Sequence, residues 1–505
     1  VLLLKNNAIN NQEARFRLKS SSEYSHASFS AIVSATLGAA LLFASYVPAQ
    51  GAFNPLPFFG GIAWIVFAFL QTLVWAVIRI NLLKTGEIKT STRRLGYVLL
   101  LSLLTANVFI ATSAFGLIRR RKNAAYTLAV YTLLTTLFVF AVSALNVFKP
   151  FVANGYLLGM TLLIIIAVVQ LVSLLLVAKY ADHAVLPGWM GLVAGILIVT
   201  SATGNLFALF LGLLLIARLR DKNYTSGSRL AEVIDKLSRS STSMLGLLFI
   251  VFLLTIAITS YLTFDYGMAI ENNYSLILHA PDLAYPLGTD NYGRDLFSRI
   301  IFGARISLVV GLLSTLIPLL IGGALGAISG YYGRRTDNII MRLLDVLYAI
   351  PGILLAIAII AAFGASTANL ILALSVGAIP TYARTMRANV MLVSTLEYVQ
   401  AARAFGVGDG KILFKHIVPN SIAPMIVKAT LTIGTAVIST SSLSYLGLGV
   451  EPHIPEWGNI LKLGSAYLET HSFTAIYPGL AIIALVLSFN FLGDGLRDAL
   501  DPKLD

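Results

Sequence analysis

The sequence predicts an all-α polytopic membrane protein, and three observations carry that prediction. Of its 505 residues, 57% are hydrophobic and only 12% are charged, against about 45–50% apolar and about 25% charged in soluble domains. Apolar runs of about 20 residues, the length that crosses about 30 Å of hydrocarbon, recur along the whole chain. The basic residues (Lys+Arg 36 against Asp+Glu 23, net charge +13) mostly flank those runs. They therefore read as cytoplasmic topology signals and lipid-headgroup contacts, not as a nucleic-acid surface. This composition excludes a soluble globular enzyme, a disordered chain and a fibre. The absence of cysteine excludes disulfides, zinc–thiolate sites, iron–sulfur clusters and a cysteine nucleophile. The chain starts at Val1 without a small-residue cleavage site after a short apolar core, so no removable signal peptide is expected.

Taken in order, the first half offers six spans: residues 29–47, 58–78, 95–118, 124–148, 155–178 and 187–217. The last is long enough for one tilted span or a pair broken at Gly204-Asn205. A basic stretch at 218–243 carries Arg218, Arg220, Lys222, Arg229, Lys236 and Arg239 and reads as a cytoplasmic linker. It separates an N-terminal membrane domain (1–217) from a second domain (244–505) with six more spans: 244–264, 308–331, 344–363, 368–391, 422–449 and 476–496. No repeat relates the two halves.

Orientation follows from Lys and Arg in short loops. Lys5, Arg15, Arg17 and Lys19 place the N-terminus in the cytoplasm, and Arg497 with Lys503 place the C-terminus there. The second half obeys the rule throughout. In the first half, basic residues within 79–94 and the run Arg119-Arg120-Arg121-Lys122 flank the same segment, 95–118. If that segment crosses, one of the two basic clusters lies outside.

The most informative polar stretch is the loop at 394–419, between the fourth and fifth spans of the second domain. Ser394 and Glu397 fit a capping box. Tyr398, Ala401, Ala402 and Phe405 share one helical face, and Gly406 supplies a left-handed stop. Asp409 is placed to cap a second short helix running through His416, which Pro419 ends. The expected form is a helix–glycine–helix hairpin, with two adjacent alanines for close approach and charge on the other side. Such an element suits a groove on a soluble partner.

Gln400-Ala401-Ala402, then Gly406, then Ile417-Val418-Pro419 resembles the EAA loop of ABC-importer permeases. Residues 287–295 (LGTDNYGRD), Ser298-Arg299, 303–307 (GARIS), 337–351 (DNIIMRLLDVLYAIP), 444–449 (SYLGLG) and 455–458 (PEWG) resemble the C-type permease of dipeptide and oligopeptide importers. The resemblance covers about residues 245–505, and nickel-importing relatives share it. It implies a six-span permease core of the type I importer fold, here preceded by about six extra helices. It also implies a multi-pass subunit of the bacterial plasma membrane, with both termini cytoplasmic. Its expected partners are a homologous B-type permease, two cytoplasmic ATPase subunits and an extracytoplasmic peptide-binding protein. The hairpin becomes the coupling element, carried by Glu397, Gln400, Ala401, Ala402, Arg403, Gly406, Asp409 and Lys411. The family's loop commonly begins with glutamate. This chain has Gln400, with Glu397 one turn away, so an ionic contact from position 400 is not expected.

The chain is not expected to be an enzyme or to bind a cofactor of its own. Gly410-Lys411 lacks the remaining P-loop positions, since Phe405 and Ile412 stand where glycine and Ser/Thr are needed. ATP and Mg thus belong to the partner ATPases. Thr289, Asp290, Arg294 and Asp295 lie in the external loop between the first two core spans. Two carboxylates are too few for a metal site. The cluster reads as a capped turn with local Asp–Arg contacts, or as an external gate or docking surface for the binding protein. Asp345 is expected to pair with Arg342 at i−3. Tyr382 and Asn490 are candidates for lining a peptide path, against the alternative of interhelical hydrogen bonding. Import of nickel or a metallophore is the alternative within this architecture. An ion-coupled secondary transporter is the alternative class, and it would need buried membrane carboxylates that the spans hardly contain.

Overall fold

A computed structural model describes residues 17–18, 21–47, 52–53, 55–119, 123–180, 186–220, 229–451 and 453–500. The topology signals Lys5, Arg15, Lys19, Arg120, Arg121, Lys122, Lys222 and Lys503 lie outside these residues. Apart from one antiparallel pair of two-residue strands, Tyr46–Val47 with Ala52–Phe53, the described elements are helical. Packing divides the chain into two units, residues 1–264 with 281–286, and 265–280 with 287–505.

The first unit holds α1 (Ser22–Ser45), α2 (Pro55–Thr85), α3 (Thr90–Leu99), α4 (Val108–Ile118), α5 (Ala124–Ala144), α6 (Tyr156–Tyr180), α7 (Met190–Thr200), α8 (Leu206–Arg220), α9 (Arg229–Arg239) and α10 (Ser241–Thr263). Two of the six apolar segments expected here do not run straight. Segment 95–118 ends its first arm in a 3-10 turn, Leu100–Thr105, and reverses at Ala106 (φ 53°) before Asn107 caps α4. Arg93 Nη1 donates to Leu117 O and Arg119 O, both at 3.0 Å, so the two basic flanks meet at one end of a folded-back pair. The expectation that 95–118 crosses is therefore corrected. Hydropathy reports the length of apolar chain and is blind to a reversal at one small residue followed by an N-cap. Segment 187–217 reverses in the same way at the expected break, Gly204 (φ 93°) and Asn205, between α7 and α8.

The two reversals are copies of one design. Thr105-Ala106-Asn107-Val108-Phe109 recurs as Thr203-Gly204-Asn205-Leu206-Phe207. Asn107 Oδ1 accepts from Ser34 Oγ of α1 (3.1 Å), and Asn205 Nδ2 donates to Thr132 O (2.9 Å) and Thr136 Oγ1 (3.3 Å) of α5. Ser21 and Asn123 cap α1 and α5 through the amides of Tyr24 and Tyr126. The arms touch through a small-residue pair whose members are exchanged. A Cβ on Gly96 would lie 3.0 Å from Ala114 O, and one on Gly212 would lie 2.9 Å from Ala194 O. The unit is thus two successive sets of helix, helix and folded-back pair, a repeat inside the first half that the sequence reading missed. It closes with α10, whose Thr263 accepts from Asn146 Nδ2 at its carbonyl (2.8 Å) and from Ser143 Oγ at its hydroxyl (3.3 Å). The packing break therefore falls after Phe264, one helix later than the basic linker.

The second unit holds α11 (Leu296–Tyr332), α12 (Arg334–Tyr348), α13 (Gly352–Phe363), α14 (Thr367–Ser394), α15 (Glu397–Ala404), α16 (Ala423–Tyr445), α17 (Trp457–Ser465) and α18 (Phe473–Leu500). Gly322, Gly326 and Gly330, one per turn, form a bare stripe on α11. Added Cβ atoms there would fall 2.7, 2.2 and 2.7 Å from the carbonyl oxygens of Ile379, Ala383 and Arg387 on α14. Only glycine permits that approach, and in a membrane close backbone packing replaces the hydrophobic drive available in water. The axes of α12 and α13 bend by 80° across a break that contains Pro351. Among the described residues, eight helices are long and apolar enough to cross a membrane, or nine if α12 and α13 count as one broken span.

Candidate functional site: the coupling hairpin and the groove above it

The hairpin forms, with a different chemistry at its start. Ser394 is the last residue of α14, and its hydroxyl donates back to Met391 O at 2.8 Å. Only Thr395 and Leu396 separate α14 from α15, whose N-cap is Leu396 without a side-chain bond. The capping box therefore does not form, because Ser394 is still inside the preceding helix. Gly406 takes φ 75° as expected, with Gly406 N donating to Arg403 O (2.9 Å) and Val407 N to Ala402 O (3.1 Å). The second arm runs through Asp409–Lys411, a π-helical turn at Ile412–Ile417, and Val418–Ser421. Asp409 does not cap it, and Pro419 does not end it, since the arm runs on through Ser421 with the proline in its first turn. Asp409 Oδ1 accepts from Tyr331 Oη at 2.6 Å, and Arg403 lies 5.3 Å from the Tyr331 ring centroid. Tyr331, at the end of α11, thus holds both arms.

One side of the hairpin is core. Val399, Ile412, Leu413 and Ile417 are buried in a cluster with Ala327 of α11, Met386 and Val390 of α14, and Met425 of α16. The opposite side is bare. Phe405 is 86% and Phe414 62% exposed, and Gln400, Lys411 and Lys415 stand beside them on the open surface. Tyr398 Oη accepts from Asn420 Nδ2 at 3.2 Å, which ties the two arms at the base.

The external loop residues come together as a buried cluster. Asp290 Oδ2 receives Arg294 Nε and Nη2, each at 2.7 Å, and lies 3.5 Å from Arg299 Nε. Arg299 Nη1 donates to Ala269 O at 2.7 Å. Asp295 caps α11, accepting from Ser298 N (3.0 Å) and Ser298 Oγ (2.6 Å). Thr289 Oγ1 accepts from His279 N at 2.9 Å and donates to Leu276 O. All four side chains are buried, so they hold the loop's shape from within and leave its outer surface to other residues. Nearby, Glu456 is fully buried as the N-cap of α17, accepting from Asn459 N at 3.1 Å, and burial raises its carboxyl above the usual carboxylate range. Among the described residues, no three His, Asp or Glu side chains gather as metal ligands.

Of the two path candidates, Tyr382 is buried between α14 and α16, with Lys428 Nζ 5.4 Å from its ring centroid, and Asn490 sits half-buried opposite Gly434. Thr432, Thr435 and Ser439 of α16, with Ser314, Gly352 and Gly377, line a cavity of about 210 Å³. Thr432 and Thr435 also border a groove of about 540 Å³ with Lys428 and Arg497.

Residues 322–505 match the family of binding-protein-dependent transport system inner membrane components. The chain is 42% identical over 284 residues to the dipeptide transport permease DppC of Alkalihalophilus pseudofirmus, covering 56% of this chain and 93% of that one. It is 42% identical over 286 residues to the glutathione transport permease GsiD of Pectobacterium atrosepticum, covering 57% and 94%. The chain belongs to this family of transport permeases. The permease also aligns with the inward-facing methionine ABC transporter MetNI at 21% identity, covering 40% of this chain and 97% of that one, with a TM-score of 0.35, too loose to inform its fold. As a family member it is a non-catalytic, multi-span inner-membrane subunit, and ATPase and binding-protein partners are implied in general.

Three features of the permease escaped the sequence. Tyr331 is distant in sequence from the hairpin it holds. The α16 stripe of Lys428, Thr432, Thr435 and Ser439 has a helical spacing that was available to be read. Asp345 pairs with Arg384 of α14 (2.6 Å), not with Arg342 on its own helix; no i−3 count could reveal a partner on another helix.

Proposed function

We propose that this permease is the C-type subunit of an ATP-driven, binding-protein-dependent importer of di- and oligopeptides. It forms half of the path with a homologous B-type permease. Two cytoplasmic ATPase subunits, which hold ATP and Mg, act on it from below, and an extracytoplasmic peptide-binding protein loads it from outside. The observation that carries the reading is the two-sided hairpin. Its inner face is continuous with the core of α11, α14 and α16, while Phe405 and Phe414 stand exposed on the other. A close-packed core transmits displacement without deforming. A push on those rings therefore moves α14 and α16 together, and with α16 the groove that it borders with α18. Closure of the ATPase dimer supplies the push, biasing the path between inward-open and outward-open states. Glu397, Gln400, Ala401, Ala402 and Arg403 shape the docking arm, Gly406 and Asp409 fix its bend, and Lys411 adds charge. Peptide is favoured as cargo because DppC is named for dipeptides and GsiD for glutathione, itself a short peptide.

The folded-back pair supports the orientation. With 95–118 not crossing, the basic residues of 79–94, Arg119, and Arg218, Arg220, Lys236 and Arg239 of the linker fall on one side. That side is the cytoplasm, where both termini also lie. Buried Asp290, Arg294 and Asp295, with Thr289, shape the outer loop on which the binding protein docks.

Because the chain has no cysteine, single cysteines at 405 and 414 can be cross-linked in the intact complex. Adducts with an ATPase subunit are expected at both. A hairpin bare of ATPase in a complex that still transports would refute the coupling role.

A further inference from the structure

Between the end of α2, a candidate span, and the start of α3 lies an open cavity of about 610 Å³. Lys89, Arg93 and Arg94 line it against a single described carboxylate, Glu87. Arg93 is engaged: Nη1 holds the carbonyls of Leu117 and Arg119, and Nη2 lies 3.7 Å from Glu23. Lys89 and Arg94 are exposed and meet no carboxylate among the described residues. Unlike α1, α4 and α5, α3 starts without a side-chain cap, and its first residue, Thr90, lines the same cavity. From Arg94 an apolar stripe leads away. Arg94, Tyr97, Val98 and Leu101 follow one another at i+3 and i+4 on one face, and Leu104 comes three residues later in the 3-10 turn. Tyr97, Val98, Leu101 and Leu104 are each more than half exposed.

The second folded-back pair shows that the fold does not need these cations. With Thr105-Ala106-Asn107 set on Thr203-Gly204-Asn205, Lys89, Arg93 and Arg94 correspond to Pro187, Gly191 and Leu192. That copy still reverses at the same place and packs its arms through the same small-residue contact. A topology signal needs positive charge somewhere in the loop, and Arg79 and Lys84 already supply it. It does not require cations gathered in one cavity at the head of an exposed apolar face.

We propose that this cavity binds the headgroup of an anionic phospholipid. The phosphate sits on Lys89, Arg94 and the first turn of α3, and the acyl chains lie along Tyr97, Val98, Leu101 and Leu104. The chemistry matches: Arg94 offers a planar fork and Lys89 a point charge to phosphate oxygens, and basic pockets between helices at the cytoplasmic surface take acidic headgroups. A zwitterionic headgroup would bring its own cation against both side chains. The apolar face that continues from Arg94 makes the ligand a lipid and not a soluble phosphate. The site lies outside the family match at 322–505 and does not depend on which cargo the permease carries.

The absence of cysteine makes a site-specific test available. Leu101→Cys places a fluorophore on the proposed acyl path, and Val199→Cys places one at the corresponding exposed position of the second copy. The full chain in its complex is reconstituted in vesicles of phosphatidylglycerol and phosphatidylcholine, with brominated chains on one lipid or the other. At 101, quenching should show a local preference for phosphatidylglycerol of about fivefold or more, the effect of one or two cations at an anionic headgroup. At 199 the two lipids should quench alike. Lys89→Gln with Arg94→Gln should equalise them at 101. Lys84→Gln, which removes a charge outside the cavity, should leave the preference in place, and so should excess inorganic phosphate. Equal quenching at 101, the same preference at 199, or a preference that survives the double substitution would overturn the assignment. Its loss with Lys84→Gln would reduce the site to general surface charge, and its loss in inorganic phosphate would give it to a soluble anion; either result overturns the lipid site. The comparison of 101 with 199 leaves the cavity intact, so it decides the matter even where the double substitution does not assemble.

Discussion

Gly406 turns between the two arms at φ 75° with nothing within 4 Å of where a Cβ would stand, so backbone conformation alone restricts the position. Gly406→Ala should cost about 1 kcal/mol through the left-handed penalty and leave uptake largely intact. Gly406→Pro cannot reach that φ and loses the amide that bonds Arg403 O. It should separate ATP hydrolysis from uptake while the chain still inserts, and wild-type uptake by this variant would contradict the lever. Asp290 stands between two buried arginines. Asp290→Ala leaves both uncompensated and should destabilise by roughly 3–5 kcal/mol, read as a lower melting temperature of the complex. Glu456 has the opposite character. Burial raises its carboxyl pKa, so its contribution is full below the ordinary carboxylate range and fades as pH rises through the raised value. Glu456→Gln should remove that pH dependence and melt no lower than wild type at neutral pH. Glu456→Ala should lose the cap, about 1–2 kcal/mol, at every pH.

At the scale of elements, the folded-back pairs make the clearest prediction. Cysteines placed singly at 86 and 119 should react with an impermeant reagent from the same side of the membrane, and labelling from opposite sides would restore the straight crossing. Gly212→Leu, with a Cβ 2.6 Å from Ile198 Cγ1, should force α7 and α8 apart at about 1–3 kcal/mol, measured as a lower melting temperature. The hairpin at 394–419 was legible chiefly because Gly406 acts on its sequence neighbours; neither expected cap forms, and Pro419 does not end the second arm. Its start was misread because Ser394 could belong to either helix, and the winner was decided by how far α14 continued. Segment 95–118 was misread for a related reason: Thr105-Ala106-Asn107 is a weak turn signal inside a strong apolar one. Its recurrence as Thr203-Gly204-Asn205 was the usable clue.

At the scale of the whole molecule, the position of α10 decides the outcome for a shortened chain. A chain beginning near residue 226 keeps α10 but loses Ser143, Asn146 and the glycines Gly155 and Gly159 against which Leu262 and Thr263 pack. It should still insert, since one apolar span suffices, but melt lower than the full chain. An unchanged melting temperature would mean that α10 does not depend on the first unit.

The sequence alone determined that the chain is helical and membrane-spanning, that its second half carries permease motifs, and that a bent hairpin follows α14. These properties depend on composition, on periodicity and on neighbours within a turn or two. Tertiary structure alone decided which apolar segments reverse, that α10 packs with the first unit, that Tyr331 holds the hairpin, and that Asp345 answers Arg384. The reason is physical: hydrophobicity drives a segment into the bilayer, but once there it no longer discriminates between neighbours. Close approach at glycine and pairing of a few polar groups then choose the partners, and those choices join residues far apart in the chain.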